Sequence, residues 1–260
     1  MPRPAGDPLR LTAKSHVSAA PGGGSGAQIY EVSENVGEYI VKFKGNNQGV
    51  RVLFNEYVSG RIGELIGVPF GDHALIEVSD ALHPPNGTQY ITTRMPGIQF
   101  ATTYYSNNAQ TDMVQLKAAT NFQSHFPAVL VFDTFIARGD GRQYVVYSSA
   151  HAQNGQRDTG VIFDQGFAFT GNPGWTVATL AGNNNCQANN GLGIRNALGG
   201  IANYEPYIAA VESLTFEQLH LIVNEPPLAE WGVAQDEATA LVNWLNARRG
   251  QVRAAMQAYI

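Results

Sequence analysis

The chain has 260 residues, of which 44% are hydrophobic and 10% aromatic, so it can bury a substantial core as one large domain or two small ones. A net charge of −5, without any block of lysine or arginine, argues against a nucleic-acid partner or a membrane surface held by charge. The single Cys186 excludes an internal disulfide, and no apolar stretch reaches the length of a membrane span, so we expect a soluble, cytoplasmic protein.

The first part of the chain is expected to form a small, strand-rich unit behind a flexible tail. Residues 1–27 end in Ala-Ala-Pro-Gly-Gly-Gly-Ser-Gly-Ala, a composition typical of a disordered segment, and order is expected to begin at Gln28. Alternation of apolar residues and intervening turn residues predict four strands around one helix. The strands are expected at residues 28–32, 38–43, 74–78 and 89–95, and the helix at residues 50–66.

From Thr111 onwards the spacing of apolar residues becomes mainly helical. The Gly/Asn-rich stretch 171–203 predicts a long loop, which is usually functional or disordered at such a length. Thr215 and Gln218 have capping-box spacing at the start of one of the last helices. Helices are expected at residues 113–122, 128–137, 215–223 and 236–259, and strands at residues 144–148 and 160–163.

A carboxylate at the end of a buried strand is the strongest chemical signal in the sequence. Val161, Ile162 and Phe163 read as the strand, Asp164 follows it, and Gly166 lets the backbone turn. A carboxylate held at the mouth of a core suits a hard cation such as Mg²⁺. The alternative is an aspartate that starts a turn through its own side chain.

A lysine and a glutamate in the small unit form a second signal. Strand alternation puts Lys42 on the face opposite Tyr39 and Val41, where it could hold phosphate oxygens in a cleft. Glu56, on the following helix, could pair with Lys42 and fix its position. The alternatives are a solvated strand face for the lysine and an ordinary surface position for the glutamate.

A third signal is Asp140, which lies between two glycines after a predicted helix. An exposed carboxylate there could orient or deprotonate an attacking hydroxyl. Asp-Gly is also a common turn pair, so a purely structural role stays open.

The order strand lysine, helix glutamate, loop aspartate and strand-end aspartate is the order found in kinase-type sites. With it, the chain resembles the HipA-like kinase domains, distant relatives of the phosphatidylinositol kinases, from Gln28 to its last residue. The agreement extends beyond the chemical residues, to helix ends and closing helices. The stretches that carry the resemblance are Val41–Asn46, Asn55-Glu56, Leu65–Pro69, Phe132-Asp133, Phe163–Phe169, Pro226-Pro227, Glu230-Trp231, Trp244-Leu245 and Arg248-Arg249.

The resemblance implies an α+β, two-lobed protein-kinase-like fold. Residues 28–97 would form a small antiparallel β lobe with one helix that binds the nucleotide, and residues 98–260 a larger, mainly helical lobe. Arg94–Gly97, after the last strand of the small lobe, would be the hinge, with the backbone of Met95 meeting adenine. The implied activity is transfer of the γ-phosphate of ATP to a Ser or Thr hydroxyl of a protein substrate of unknown identity, with Mg²⁺.

The same resemblance assigns a role to each residue of the three signals. Lys42 would contact the nucleotide phosphates, with Glu56 as its partner. Asp164 would be the Mg²⁺ ligand and Asp140 the catalytic aspartate.

The chain departs from the family pattern around these residues. Arg138 stands where the family usually has asparagine, Gly141 replaces an arginine, and Gln165 replaces a histidine. Tyr144 and Val145 fall where a second, metal-binding asparagine is expected, and neither offers Mg²⁺ a carbonyl or carboxylate oxygen.

These departures keep a second hypothesis open, a catalytically degenerate member that binds a nucleotide or a protein. No glycine-rich phosphate loop is expected either, because the glycine run belongs to the predicted tail. A lipid kinase is disfavoured by the acidic balance, since anionic membranes attract clusters of lysine and arginine.

Overall fold

The structure of the protein is a computed structural model. It describes residues 2–21, 25–34, 36–106, 109–110, 112–141, 143–148, 159–171, 173–183, 185–188 and 193–260, with only the backbone for residues 109–110. The described elements mix helices and strands, as the expected α+β class requires. Among the described helices, none is long and apolar enough to cross a membrane.

A closed β-barrel occupies the first part of the chain. Its strands follow the order β1-β2-β3-β5-β4, with β1 and β4 parallel and the other neighbours antiparallel. Alternate side chains point inward and form a cluster that includes Tyr30, Val41 and Ile76. The strands are β1 (Leu9–Ala19), β2 (Gln28–Val32), β3 (Glu38–Lys42), β4 (His73–Val78) and β5 (Gly97–Thr103).

Strand β1 overturns the prediction of a disordered segment over residues 1–27. Leu11 and Ala13 are buried in the barrel, and β1 hydrogen-bonds to both β2 and β4. Arg3 also donates a hydrogen bond to the carbonyl of His73, over 2.7 Å. The glycine-rich composition at the end of this segment describes only the connection after β1, of which Gly22–Gly24 lie outside the described residues.

The last barrel strand is also not where the sequence predicts it. Instead of a strand over residues 89–95, the chain forms β5, whose Phe100 lies opposite Lys42 on β3 and Leu75 on β4. Both segments contain residues that favour strands, and only pairing with distant strands selects the second one. A boundary after Gly97 would therefore separate most of β5 from the strands with which it pairs.

Helix α1 (Arg51–Ile66) packs against the outside of the barrel and against the helices that follow. Side chains such as Leu53 and Phe54 join a large apolar cluster that contains Phe100 from β5 and Phe132 from α3 (Phe122–Ile136). The helix is buried around most of its circumference, so its inward polar residues need partners within the protein.

A three-stranded sheet and further helices complete the fold. The sheet has the order β6-β7-β8, formed by Ala109–Gln110, Gln143–Tyr147 and Thr159–Phe163. In the described parts of the chain, the other helices are α2 (Met113–Ala118), α4 (Val177–Gly182), α5 (Glu205–Ser213), α6 (Phe216–Val223), α7 (Gln235–Arg249) and α8 (Val252–Tyr259), with short 3₁₀ turns at Asp80–Leu82, Arg195–Ala197 and Ile201–Asn203.

The predicted helices of the second part of the chain are present, but several of their bounds differ from the prediction. The Thr215 side chain accepts a hydrogen bond from the backbone of Gln218, as the capping-box spacing predicts. The helix expected over residues 236–259 is two helices that break after Arg249, and α5 was not predicted.

Replacing a buried side chain of β1 should destabilise the protein. Leu11→Ala empties space inside the barrel, so we expect the free energy of unfolding to fall by about 2 to 4 kcal/mol, measured by urea denaturation. Val17→Ala, on the exposed face of the same strand, should change it by less than about 0.5 kcal/mol. Equally small effects of the two substitutions would contradict a buried position for Leu11 and would support the prediction of a flexible tail.

Candidate active site

A cavity of about 430 Å³ lies between the barrel and the β6-β7-β8 sheet. The barrel side contributes Ile40 and Lys42 from β3 and the segment Thr102–Tyr105 at the end of β5. The opposite wall comes from β7, β8 and the residues beside them. It consists of Asp140, Gln143, Val145, Val161, Ile162, Phe163 and Asp164, and Glu56 reaches the cavity from α1.

Lys42 lies on the barrel side of the cavity and contacts the opposite wall. Because Val41 points into the barrel, Lys42 at the end of β3 points outward, towards α1 and β8. Its ammonium group donates a hydrogen bond to Glu56 Oε1 and another, of 2.8 Å, to Asp164 Oδ1. The three charged residues predicted from separate stretches of sequence are therefore brought together.

Glu56 ties three elements to one another. Its Oε1 accepts from Lys42 on β3, while its Oε2 accepts from the backbone N–H of Gln165, over 2.7 Å. The side chain is almost completely buried. Both carboxylate oxygens are therefore used inside the protein, and α1 is joined to β3 and to the turn after β8.

Burial and charge act in opposite directions on these three groups. Burial disfavours the ammonium form of Lys42, but the carboxylates of Asp164 and Glu56 outweigh it and raise the pKa of Lys42. Lys42 holds the pKa of Asp164 well below its usual range, against the effect of burial. Burial, helped by the charge of Asp164, raises the pKa of Glu56 although Lys42 opposes the shift.

Asp164 sits at a turn with unusual backbone geometry. Its φ of 65° lies in the left-handed region, which aspartate tolerates better than most residues. Its Oδ2 accepts a hydrogen bond of 2.7 Å from Gln143 Nε2. At Gly166, an added Cβ would lie 2.8 Å from Val52 Cγ1, so glycine lets the turn approach α1 closely.

Arg138 links the loop that carries Asp140 to the end of β8. Its buried guanidinium donates to the carbonyl of Asp140, to that of Gly141 over 2.7 Å and to that of Asp164 over 3.0 Å. Asp140 itself is exposed, and its Oδ1 accepts from the Gly141 N–H over 2.6 Å. Arg138, which departs from the family pattern, therefore positions both aspartates through their backbone.

Asn55 and Trp175 support the turn after β8 from behind, and their contacts were not predicted. Asn55 Nδ2 donates to the carbonyl of Gly166 over 2.8 Å, and Trp175 Nε1 donates to Asn55 Oδ1 over 2.9 Å. Both side chains are completely buried. The sequence signal was the isolated apolar stretch at Trp175 within an otherwise polar region.

Met95 does not line the cavity. It precedes β5, its N–H donates to His83 Nε2 over 3.2 Å, and its carbonyl accepts from Gln99 Nε2 over 2.6 Å. The expected hinge at Arg94–Gly97 depended on a last strand over residues 89–95, which the structure replaces with β5. Thr103, the last residue of β5, and the two residues after it, Tyr104 and Tyr105, reach the cavity instead.

The connection between β1 and β2 reaches the cavity, which the sequence analysis did not predict. Ala20, Pro21, Ser25 and Ala27 line it, and the Ala20 N–H donates to the Ala27 carbonyl over 2.9 Å. The chain between these residues contains the glycine run. The apolar alternation of Leu9, Leu11 and Ala13 before it was the signal that could have identified a strand and hence this connection.

The sequence signature of the HipA-like kinase family matches residues 30–171, more than half of the chain. The matched segment includes Lys42, Glu56, Asp140 and Asp164. The chain therefore belongs to the HipA-like kinase family.

A solved structure supports the same fold. The chain is similar to the Helicobacter pylori proinflammatory kinase CtkA, with a TM-score of 0.62 and 12% sequence identity over 97% of this chain and 98% of that one. At this identity the similarity shows a shared kinase-like fold. Among curated protein sequences, none matches the chain significantly.

Removing the ammonium group of Lys42 from between Glu56 and Asp164 should lower the free energy of unfolding by an amount that depends on pH. Lys42→Met leaves the buried Glu56 and the partly exposed Asp164 without a cationic partner, so we expect the free energy of unfolding to fall by about 3 kcal/mol near neutral pH. Because Lys42 lowers the pKa of Asp164, its stabilising effect is present above the pKa of the unfolded carboxyl group and is lost as the pH falls. The loss caused by the substitution should therefore shrink on acidification.

The measurement is urea denaturation, followed by tryptophan fluorescence, at about pH 7.5 and at about pH 3, which lies below the ordinary pKa of an aspartate. Lys14→Met, at an exposed position of β1, is the control and should have little effect at either pH. A loss of equal size at both pH values would contradict the ion-pair assignment.

Proposed function

We propose that the protein is an ATP-dependent kinase that transfers the γ-phosphate to a Ser or Thr hydroxyl of a protein substrate. The observation that carries the proposal is Lys42, held between Glu56 and Asp164 at the wall of a cavity that Asp140 also lines. Phosphoryl transfer depends mainly on positioned charges, and this arrangement brings such groups to one cavity.

Lys42 and the β1–β2 connection are the groups we assign to the phosphates. The raised pKa of Lys42 keeps its ammonium charged, and Glu56 fixes the side chain at the cavity. Ala20, Pro21, Ser25 and Ala27 border the same cavity, so this connection would supply backbone N–H donors to the phosphate oxygens.

We assign the base to the apolar part of the same cavity. Ile40 and Phe100 contribute from the barrel side, and Val145 and Val161 from the opposite sheet. The hinge would be Thr103–Tyr105, with the barrel and α1 as the small lobe of a two-lobed kinase. Val145 then serves as part of the wall, although the family pattern suggests a metal ligand near this position.

Asp164 has the chemistry expected of a Mg²⁺ ligand. Within the described parts of the chain, no group of three or more His, Cys, Asp or Glu side chains is arranged to hold a metal by itself. Mg²⁺ in nucleotide sites takes only one or two carboxylates besides phosphate oxygens, and the partly exposed carboxylate of Asp164 at the cavity fits that requirement. Bound there, the ion would neutralise charge on the transferred phosphate.

Asp140 is the group we assign to the acceptor hydroxyl. Its carboxylate is exposed at the cavity, so a hydroxyl from another molecule can reach it. Arg138 and the Gly141 N–H hold the loop and the carboxylate in place. Asp140 can then orient the hydroxyl and accept its proton.

One observation favours the second candidate, a degenerate member that binds without catalysis. Both oxygens of Asp164 already have partners within the protein, Lys42 on Oδ1 and Gln143 on Oδ2. Such a network is satisfied electrostatically without any metal. The two candidates differ in whether the purified protein transfers phosphate.

Neutralising either aspartate should remove phosphoryl transfer. We expect Asp140→Asn and Asp164→Asn each to lower the rate at least about a hundredfold, since each removes a group acting on the transferring phosphate or its acceptor. The assay follows radiolabelled γ-phosphate onto the chain itself or onto a mixture of protein acceptors.

Asp236→Asn, which changes an exposed aspartate outside the cavity, is the matched control and should retain full activity. Full activity in the Asp164 variant would contradict the assigned site. Absence of transfer by the wild-type protein, with nucleotide binding intact, would favour the degenerate member.

A further inference from the structure

Gln143 lies beside Asp164 because of strand register. It is the first residue of β7 and pairs with Phe163, the last residue of β8. Its side chain therefore lies next to Asp164, the residue that follows Phe163. Its Nε2 donates to Asp164 Oδ2 over 2.7 Å. The side chain is exposed and lines the cavity.

Strand alternation separates Gln143 from its neighbour in the sequence. Gln143 and Val145 both line the cavity, whereas Tyr144, between them, does not. Val145 has no polar atom in its side chain. On this wall, Gln143 is therefore the residue of β7 that brings an uncharged oxygen to the cavity.

The side-chain amide of Gln143 can donate a hydrogen bond to Asp164 or offer an oxygen atom to a cation. Its N–H₂ group donates to the ionised Asp164, and its carbonyl oxygen is carried by the same planar group. Rotation about the last side-chain bond exchanges the two atoms, and amide oxygens are suitable ligands for hard divalent cations. Lys42 occupies Oδ1 of Asp164 and Gln143 contacts Oδ2, so the two residues act on different oxygens.

We propose that Gln143 is a second oxygen ligand, beside Asp164, for the divalent cation that accompanies the nucleotide. This inference rests on the proposed kinase function. It assigns to Gln143 the ligand role that the sequence pattern leaves unfilled at Tyr144 and Val145. The additional methylene of glutamine, compared with asparagine, extends the amide from the start of β7 to the carboxylate at the end of β8.

The test measures cation binding instead of activity. Mn²⁺ replaces Mg²⁺, and its free concentration is followed by electron paramagnetic resonance in the presence of adenylyl imidodiphosphate, an ATP analogue that resists transfer. We expect Gln143→Leu to weaken Mn²⁺ binding at least about tenfold, as losing a group that tunes a metal site does. Gln143→Glu, which keeps a side-chain oxygen at the same reach, should bind Mn²⁺ at least as tightly as the wild type.

Binding of the analogue without Mn²⁺ should be the same in both variants and the wild type. Gln123→Leu makes the same chemical change at an exposed position of α3 outside the cavity and should leave Mn²⁺ affinity unchanged. Equal Mn²⁺ affinity in Gln143→Leu and wild type would overturn the inference while leaving the kinase proposal intact. Failure of the wild type to bind the analogue under either condition would overturn both.

Discussion

The ion pairs of Lys42 with Glu56 and Asp164 are the interaction on which the arrangement of this protein depends. A charge removed from water must find a partner, and these three groups satisfy one another at a place where a barrel strand, a buried helix and a strand-end turn meet. The pairs fix the relative positions of elements far apart in the sequence. They also leave a lysine charged beside a cavity, which is what a phosphate-binding site requires.

The surroundings of the three residues hold this geometry with contacts that are mostly uncharged. Asn55, one position before Glu56, binds the carbonyl of Gly166 and is itself held by Trp175. On the other side, Arg138 binds backbone carbonyls of the Asp140 loop and of Asp164. Because α1 is buried around most of its circumference, Glu56 and Asn55 have few alternative positions. Contacts within the protein therefore hold these side chains in place, as the proposed catalysis by positioning requires.

Local pattern singled out the residues that meet at the cavity, although it left structural alternatives open for each of them. Strand alternation placed Lys42 on the face opposite Tyr39 and Val41, the helix after it carried Glu56, and a buried strand ended at Asp164. The contact suggested between Lys42 and Glu56 is present. Their roles in binding nucleotide and metal stay proposals. The Asp140 loop reaches the same cavity, as its place in the sequence order suggested.

What the sequence did not predict depends on long-range pairing. Strand β1 is fixed by its parallel pairing with β4. The apolar alternation of Leu9, Leu11 and Ala13 indicates a strand but not this pairing, and the glycine-rich composition that follows predicts a tail. The position of β5 is likewise decided by its pairing with β3 and β4. Met95 precedes this strand and therefore does not lie where the sequence predicted the hinge. The position of Gln143 beside Asp164 follows from the register of β7 with β8, which the sequence does not show.

The most direct test of the central claim is a thermal-denaturation titration with ATP, with and without Mg²⁺, on wild type and Glu56→Gln. A ligand that binds only the folded state adds about 2.7 kcal/mol of stability at about a hundredfold excess over its dissociation constant. If Glu56 fixes Lys42 for the phosphates, the wild type should show a clear Mg²⁺-dependent rise in midpoint, and the variant a much smaller one. An equal rise in both proteins, or none in the wild type, would contradict the claim that this ion-paired lysine organises a nucleotide site.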